Sequence, residues 1–198
     1  MYWYEDDIKG LERKSLKAGY SAETVFYGSS SVRLWTTLNE DFADLNPTNL
    51  GFGGSTLAAC VWFFDRVMTN YNPKRLVIYA GDNDLGDGRH PEEVFIFFQQ
   101  MVVKANQRFG NIPCYFISLK PSIARWPMSD QFKYTNNIIE NELIKRGNNW
   151  QFIDIFKPML DANGYPQKGL FAADGLHLSS AGYQVWKQII RGKIIVDS

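Results

Sequence analysis

Only two cysteines, Cys60 and Cys114, occur in the 198 residues. They make no disulfide framework and no metal-ligand spacing. Each falls in an apolar stretch, where a small buried thiol is the ordinary outcome. Charge of one sign is also lacking, because 21 Lys and Arg stand against 21 Asp and Glu. A nucleic-acid partner calls for a basic face, so none is expected. Long apolar runs are missing too: the longest, Leu57 to Phe64, is far too short to cross a bilayer, and no membrane span is expected. The amino-terminal Met-Tyr-Trp-Tyr-Glu-Asp-Asp is acidic with no apolar segment behind it, unlike a secretory signal, which makes the cytoplasm the default expectation. Internal repeats, low-complexity tracts and Pro/Ser-rich linkers are absent as well. The expected organisation is therefore one domain over 1–198, with an N-terminal helical segment at 1–22 and a core at 23–198.

What is present is an alternation of periods. Compact apolar runs at Thr24–Gly28, Arg75–Gly81, Ile112–Leu119 and Gln151–Ile155 read as strands, with a weaker candidate in Asp44–Leu50, where Pro47 points to an edge. Between them the spacing turns helical. Leu57, Val61, Phe64, Met68 and Tyr71 share a face behind a cap at Ser55, and Pro91 opens a helix striped by Phe98, Met101, Ala105 and Phe109. Ser129 opens another with Phe132, Ile139 and Leu143, and the last follows Ser179 with Tyr183, Trp186, Ile190 and Ile194 on one face. Tyr4, Ile8 and Leu11 mark a helix ahead of the first strand. Strands alternating with helices require crossover connections, hence an α/β fold with a parallel sheet covered on both faces. The continuous apolar strands fit burial on both sides. In such sheets ligands bind at the carboxyl ends of the strands, so chemistry belongs in the loops that follow them.

Four motifs fall in those loops. Gly28-Ser29-Ser30-Ser31-Val32 puts a serine in a sharp strand-to-helix turn near helix N-terminal amides. Gly51-Phe52-Gly53-Gly54-Ser55-Thr56 offers backbone N–H groups at close approach. Gly81-Asp82-Asn83-Asp84 can aim a side-chain amide at a developing oxyanion. Asp174-Gly175-Leu176-His177 lets a carboxylate fix the tautomer of one of only two histidines, leaving the other ring nitrogen free for a proton. Each has an ordinary reading alone: a helix cap, a flexible loop, an Asx turn, a structural histidine. A phosphate loop lacks its Lys, a calcium loop at Asp82, Asp84 and Glu93 lacks its central glycine, and no His or Cys cluster supports a metal. Together the motifs supply a nucleophile, oxyanion donors and an oriented base on one edge, which is a complete acyl-transfer kit. Ser29 and Ser31, flanking Ser30, stay open as the nucleophile. His90, ahead of Pro91, reads as plain surface.

The blocks FYGSSSVRLW, NLGFGGST, YAGDND and DGLHLSSAGY, in that order across about residues 24–190, resemble those of the SGNH hydrolases, the GDSL-like lipase/acylhydrolase family. The resemblance implies a three-layer α/β/α, flavodoxin-like fold with a parallel sheet of about five strands. It implies Ser30 as nucleophile, His177 and Asp174 as base and acid, and an oxyanion hole of Ser30, Gly54 and Asn83. The family's Gly-Asp-Ser has its aspartate replaced here by Ser29.

The expected activity is cleavage of small carboxylic esters through an acyl-Ser30 intermediate, with no metal and no cofactor. An acyltransferase or carbohydrate O-acetyl esterase using the same site, or a non-catalytic ligand-binding domain, remains an alternative. The loop after the fourth strand must share the edge, which makes Lys120, Arg125 and Trp126 the candidate substrate contacts; aromatics at 15% leave some for a pocket. The small-molecule ester is the one partner foreseen, and the oligomeric state is not legible. A histidine base works only when neutral, so activity should fall as pH drops through the imidazole range, about 6.5 for the free side chain. A rate that stayed flat to about pH 4 would remove His177 from that role.

Overall fold

The computed structural model describes residues 1–18, 21–147 and 149–196. Five parallel strands form one sheet: β1 (Thr24–Gly28), β2 (Pro47–Gly51), β3 (Arg75–Tyr79), β4 (Cys114–Ile117) and β5 (Trp150–Ile153), in the order β2-β1-β3-β4-β5. This is the flavodoxin-like order, which reverses direction between β1 and β3 and opens a crevice at their carboxyl ends. The helices are α1 (Glu5–Ala18), α2 (Ser30–Arg33), α3 (Leu38–Asp41), α4 (Leu57–Met68), α5 (Asp82–Gly86), α6 (Pro91–Phe109), α7 (Ser129–Arg146) and α8 (Ser180–Val196).

Successive strand side chains go to opposite faces, and the two cores divide accordingly. Val25, Tyr27, Leu76, Ile78, Cys114 and Phe116 pack with α1, α4, α6 and α7, whereas Phe26, Val77, Tyr79, Tyr115, Ile117 and Ile153 pack with α2, α3 and α8. On the second face Trp186 of α8 is fully buried and meets Trp35, Tyr79 and Tyr183 at ring-centroid distances of 6.0, 4.8 and 6.4 Å. Edge-on contacts of this kind add to the area that each ring removes from water. The expected helical faces are buried: Phe98, Met101 and Ala105 on α6, where Phe109 is only half-buried, Phe132, Ile139 and Leu143 on α7, and Tyr183, Trp186, Ile190 and Ile194 on α8.

One local expectation is corrected and two segments are sharpened. Thr56, not Ser55, caps α4, its hydroxyl accepting from Ala59 N at 3.0 Å, while the Ser55 hydroxyl donates to Gly28 O at 3.1 Å. The edge strand starts inside the expected segment, at Pro47, and runs to Gly51; ahead of it Ala43–Leu45 winds into a 3-10 turn and Asn46 takes a left-handed φ of 43°. Proline fits the first position of an edge strand, where its missing N–H breaks no ladder. The segment after β3 is a one-turn helix, α5.

The end of β1 tolerates no side chain. Gly28 has φ +148°, and a Cβ there would lie 1.8 Å from the carbonyl oxygen of Tyr79, its partner on β3. Gly28→Ala should therefore force β1 and β3 apart. The backbone conformation alone contributes about 1–3 kcal/mol, and the clash adds to it. Denaturant unfolding measures this loss; a variant as stable as the parent would mean the close approach is wrong.

Candidate active site

The turn that follows Gly28 sets the first member of the site. Ser29 N donates to Tyr79 O at 2.9 Å, and Ser29 O accepts from Val32 N and Arg33 N, so the chain leaves the sheet and enters α2 within two residues. Ser30 opens that helix and is half-buried, whereas Ser29 and Ser31 are fully buried. Ser31 O accepts from the Tyr183 hydroxyl at 3.0 Å, which ties the turn to α8.

The Ser30 hydroxyl lies 3.1 Å from His177 Nε2, and His177 Nδ1 lies 2.6 Å from Asp174 Oδ2. The two partners are 147 residues apart in the chain, so the fold rather than local sequence creates the contact. Asp174 is held by its own turn, its other oxygen accepting from Leu176 N and His177 N at 2.9 Å each. Those bonds, the histidine's first among them, keep its carboxyl well below the usual range. It is therefore anionic wherever imidazole titrates, and Nδ1 is the nitrogen that carries a proton. Nε2 is then the acceptor for the serine O–H.

The glycine loop and α5 are bolted to this turn. Gly54 has φ +64° and open space where a Cβ would be; its carbonyl accepts from the Tyr4 hydroxyl at 3.0 Å. Asn83 donates through Nδ2 to Ser55 O at 3.0 Å, and its Oδ1 accepts from an Arg125 guanidinium N–H at 3.0 Å. Asp84, fully buried, accepts from Leu57 N and Ala58 N at the start of α4. With Thr56 on Ala59, three of the helix's orphan donors are satisfied, two of them by a residue of α5. The Asp84 signal was present in the sequence as the second acid of Asp-Asn-Asp, but nothing there distinguished a remote helix cap from an Asx turn. Tyr4 gave no signal beyond its helical face.

Two expected substrate contacts face inward instead. Lys120 is 1% exposed, and its ammonium lies 3.3 Å from Asp82 Oδ2. Burial lowers its pKa, and Asp82 opposes the shift. Arg125 donates to Asp82 O at 2.8 Å as well as to Asn83. Both turn to Asp82, whose buried carboxylate has to be paired. Trp126 is half-buried and meets the exposed Tyr165 at 5.5 Å between ring centroids, with the Lys133 ammonium 5.6 Å from its ring. His90 is exposed and starts α6, its N–H donating to Glu93.

A profile of the GDSL-like Lipase/Acylhydrolase family matches residues 15–185. Among curated proteins none matches the chain in sequence. Solved structures with the same fold include a GDSL-like lipase from Bacteroides thetaiotaomicron, 19% identical with a TM-score of 0.79 over 96% of this chain and 100% of that one. A carbohydrate esterase of family 3 from Talaromyces cellulolyticus is 16% identical with a TM-score of 0.71 over 87% and 96%. An acetyl-xylooligosaccharide esterase from a Geobacillus species is 13% identical with a TM-score of 0.69 over 88% and 95%. Among the described residues no helix is long and apolar enough to cross a membrane.

Burial pushes the Asp84 carboxyl up to about 6, against the Leu57 and Ala58 N–H groups and Arg89, which favour the charge. A raised folded-state value means that the folded chain holds this proton to higher pH than the unfolded chain does. The resulting stabilisation is full below the unfolded value, about 3.9, and is lost as pH rises through the folded one. Relative to Asp84→Asn, which keeps an acceptor for α4, the parent should lose about 1 kcal/mol between pH 5 and pH 7. Parallel urea titrations at the two pH values would show it. An unchanged gap would mean that Asp84 is not the buried carboxyl described.

Proposed function

The chain belongs to the GDSL-like lipase/acylhydrolase family and is a hydrolase of ester bonds, and from that premise we propose that it cleaves small carboxylic esters through an acyl-Ser30 intermediate. The observation that carries the reading is the unbroken hydrogen-bonded line Ser30 Oγ–His177–Asp174, at 3.1 and 2.6 Å. An isolated serine hydroxyl is a poor nucleophile; a neutral imidazole on its oxygen and a carboxylate on the far nitrogen are what activate it.

The steps follow from the positions. Ser30 Oγ attacks the ester carbonyl carbon while its proton passes to His177 Nε2. The imidazolium so formed is stabilised by Asp174, which stays anionic. The carbonyl oxygen, now negative, is held by the Asn83 amide and the backbone N–H groups of Gly54 and Ser30, none of which has an acceptor among the described residues for the hydrogen it would offer. His177 returns the proton to the leaving alkoxide, the C–O bond breaks and the alcohol departs. Water then attacks the acyl-Ser30 carbonyl, giving its proton to His177, and the acid is released as Ser30 recovers that proton.

A carbohydrate O-acetyl ester is the second reading, favoured by one feature. The Trp126–Tyr165 ring pair, in which Tyr165 is 57% exposed, lies in and beside the loop that follows β4. A sugar ring offers the apolar C–H face that such a pair accepts. Two of the fold relatives act by name on carbohydrate or acetylated oligosaccharide.

A fluorophosphonate probe and p-nitrophenyl acetate test the nucleophile together. Wild type should take the label and release p-nitrophenol, and Ser30→Ala should lose the label and at least about 10³-fold in turnover. Asn83→Ala should keep the nucleophile yet lose about 10²–10³-fold in kcat. A Ser30→Ala protein that labels and turns over like the parent would sink the assignment.

A further inference from the structure

We propose that Arg125 is a positioning residue for hydrolysis, holding the Asn83 carboxamide so that its nitrogen, and not its oxygen, serves the reacting carbonyl. This rests on the reading of Asn83 as an oxyanion donor. A carboxamide has two nearly isosteric ends of opposite polarity, and only the N–H end stabilises a negative oxygen. Its orientation therefore decides whether the residue helps or opposes the reaction.

Two contacts discriminate between the ends. Ser55 O, an acceptor, lies 3.0 Å from Nδ2, and an Arg125 N–H, a donor, lies 3.0 Å from Oδ1. Turning the amide over would set oxygen against oxygen at Ser55 and donor against donor at Arg125. One Nδ2 hydrogen is used by Ser55, and the second has no acceptor among the described residues. Arg125 thus takes up the end that would be harmful in the site and leaves one donor for it.

Arg125 is itself fixed from several directions. The nitrogen beside the one that reaches Asn83 donates to Asp82 O at 2.8 Å and lies 3.6 Å from Asp82 Oδ2. That carboxylate oxygen also receives the Lys120 ammonium at 3.3 Å and the Tyr79 hydroxyl at 3.2 Å. The Arg125 backbone N–H donates to Ser122 Oγ at 3.2 Å, and its neighbour Ala124 donates to Gly175 O at 3.0 Å, inside the turn that carries Asp174 and His177. A planar guanidinium can serve Asp82 O and Asn83 Oδ1 at once, which one lysine ammonium does not reproduce. Room for it is left by Gly86, where a Cβ would lie 2.7 Å from the guanidinium nitrogen bonded to Asn83.

Gly86 supplies a second route to the same test, because Gly86→Ala displaces the guanidinium without removing any polar group. Steady-state kinetics on p-nitrophenyl acetate are measured for Arg125→Ala, Arg125→Lys and Gly86→Ala, each alone and combined with Asn83→Ala. Arg125→Ala and Gly86→Ala should lower kcat by about 10-fold, a fraction of the loss of the whole donor, with KM within about 2-fold. Arg125→Lys should recover part of the loss. Once Asn83→Ala has removed the amide, the same changes should cost no more than about 2-fold, since nothing is left to orient. Losses that multiply in full on top of Asn83→Ala, or a raised KM with kcat intact, would overturn the proposal and make Arg125 a substrate contact. If Asn83→Ala alone turns over like the parent, the oxyanion reading fails first and carries this one with it. If Asn83→Ala is slow and the double variants are slower by the full single-site factor, only the Arg125 proposal fails.

Discussion

The close approach of β1 to β3 at Gly28 governs the rest of the molecule. Because Gly28 brings no Cβ, the Tyr79 carbonyl can accept directly from Ser29 N at 2.9 Å, and the chain turns into α2 there and not a residue later. The same glycine's carbonyl accepts from Phe52 N at 2.9 Å and from the Ser55 hydroxyl. One backbone position thereby fixes the serine turn, the glycine loop and the end of β3 relative to each other. The other contacts are built outward from it. Ser55 O meets Asn83, Asp84 meets the start of α4, and Tyr183 meets Ser31. A site made of loops becomes rigid when the loops bond to one another and to a sheet edge rather than to water.

That architecture explains which features could be read from the sequence. Strands buried on both faces are continuous apolar runs, so Thr24–Gly28 shows at its observed limits, and the parallel sheet follows from the alternation with helices. The central strands end earlier than their apolar runs. Ala80 and Gly81 extend the apolar text of β3 past Tyr79, but they already belong to the turn, because Gly81 takes φ +124°. Hydrophobicity reports burial, not hydrogen bonding, and residues just past a strand are as buried as those in it. The edge strand β2 pairs on one side only and carries Pro47, so its signal was correspondingly weak.

Polar residues in the loops were legible in kind but not in direction. Ser30, Asn83, Asp174 and His177 stand out because they follow strands on one edge in a combination suited to acyl transfer, and His177 is one of only two histidines. Lys120 and Arg125 stand on the same edge and carry the same kind of signal, yet both turn toward Asp82. Sequence spacing assigns a side chain to a face when the element is periodic, and loops have no period. Asp82 itself looked like a turn residue, and its burial is visible only once Tyr79, Lys120 and Arg125 surround it. Asp84 illustrates the same limit, since the donors it satisfies belong to a helix that begins 27 residues earlier.

The cluster around Asp82 also bears on why buried charge persists so near the site. Taking a carboxylate, an ammonium and part of a guanidinium out of water is costly, and pairing them only roughly offsets that cost. Apolar side chains of similar volume would hold the loops together about as well. Such residues could pack against Asn83, but they could not tell one end of its carboxamide from the other. A fixed N–H donor at Oδ1 does, and it has to be anchored to act, which the Asp82 backbone oxygen and carboxylate accomplish. The ionic cluster is therefore better understood as setting a direction than as adding stability. For Asn83 in the proposed role of oxyanion donor, whose dipole must be aimed before the reaction begins, direction is the scarcer requirement.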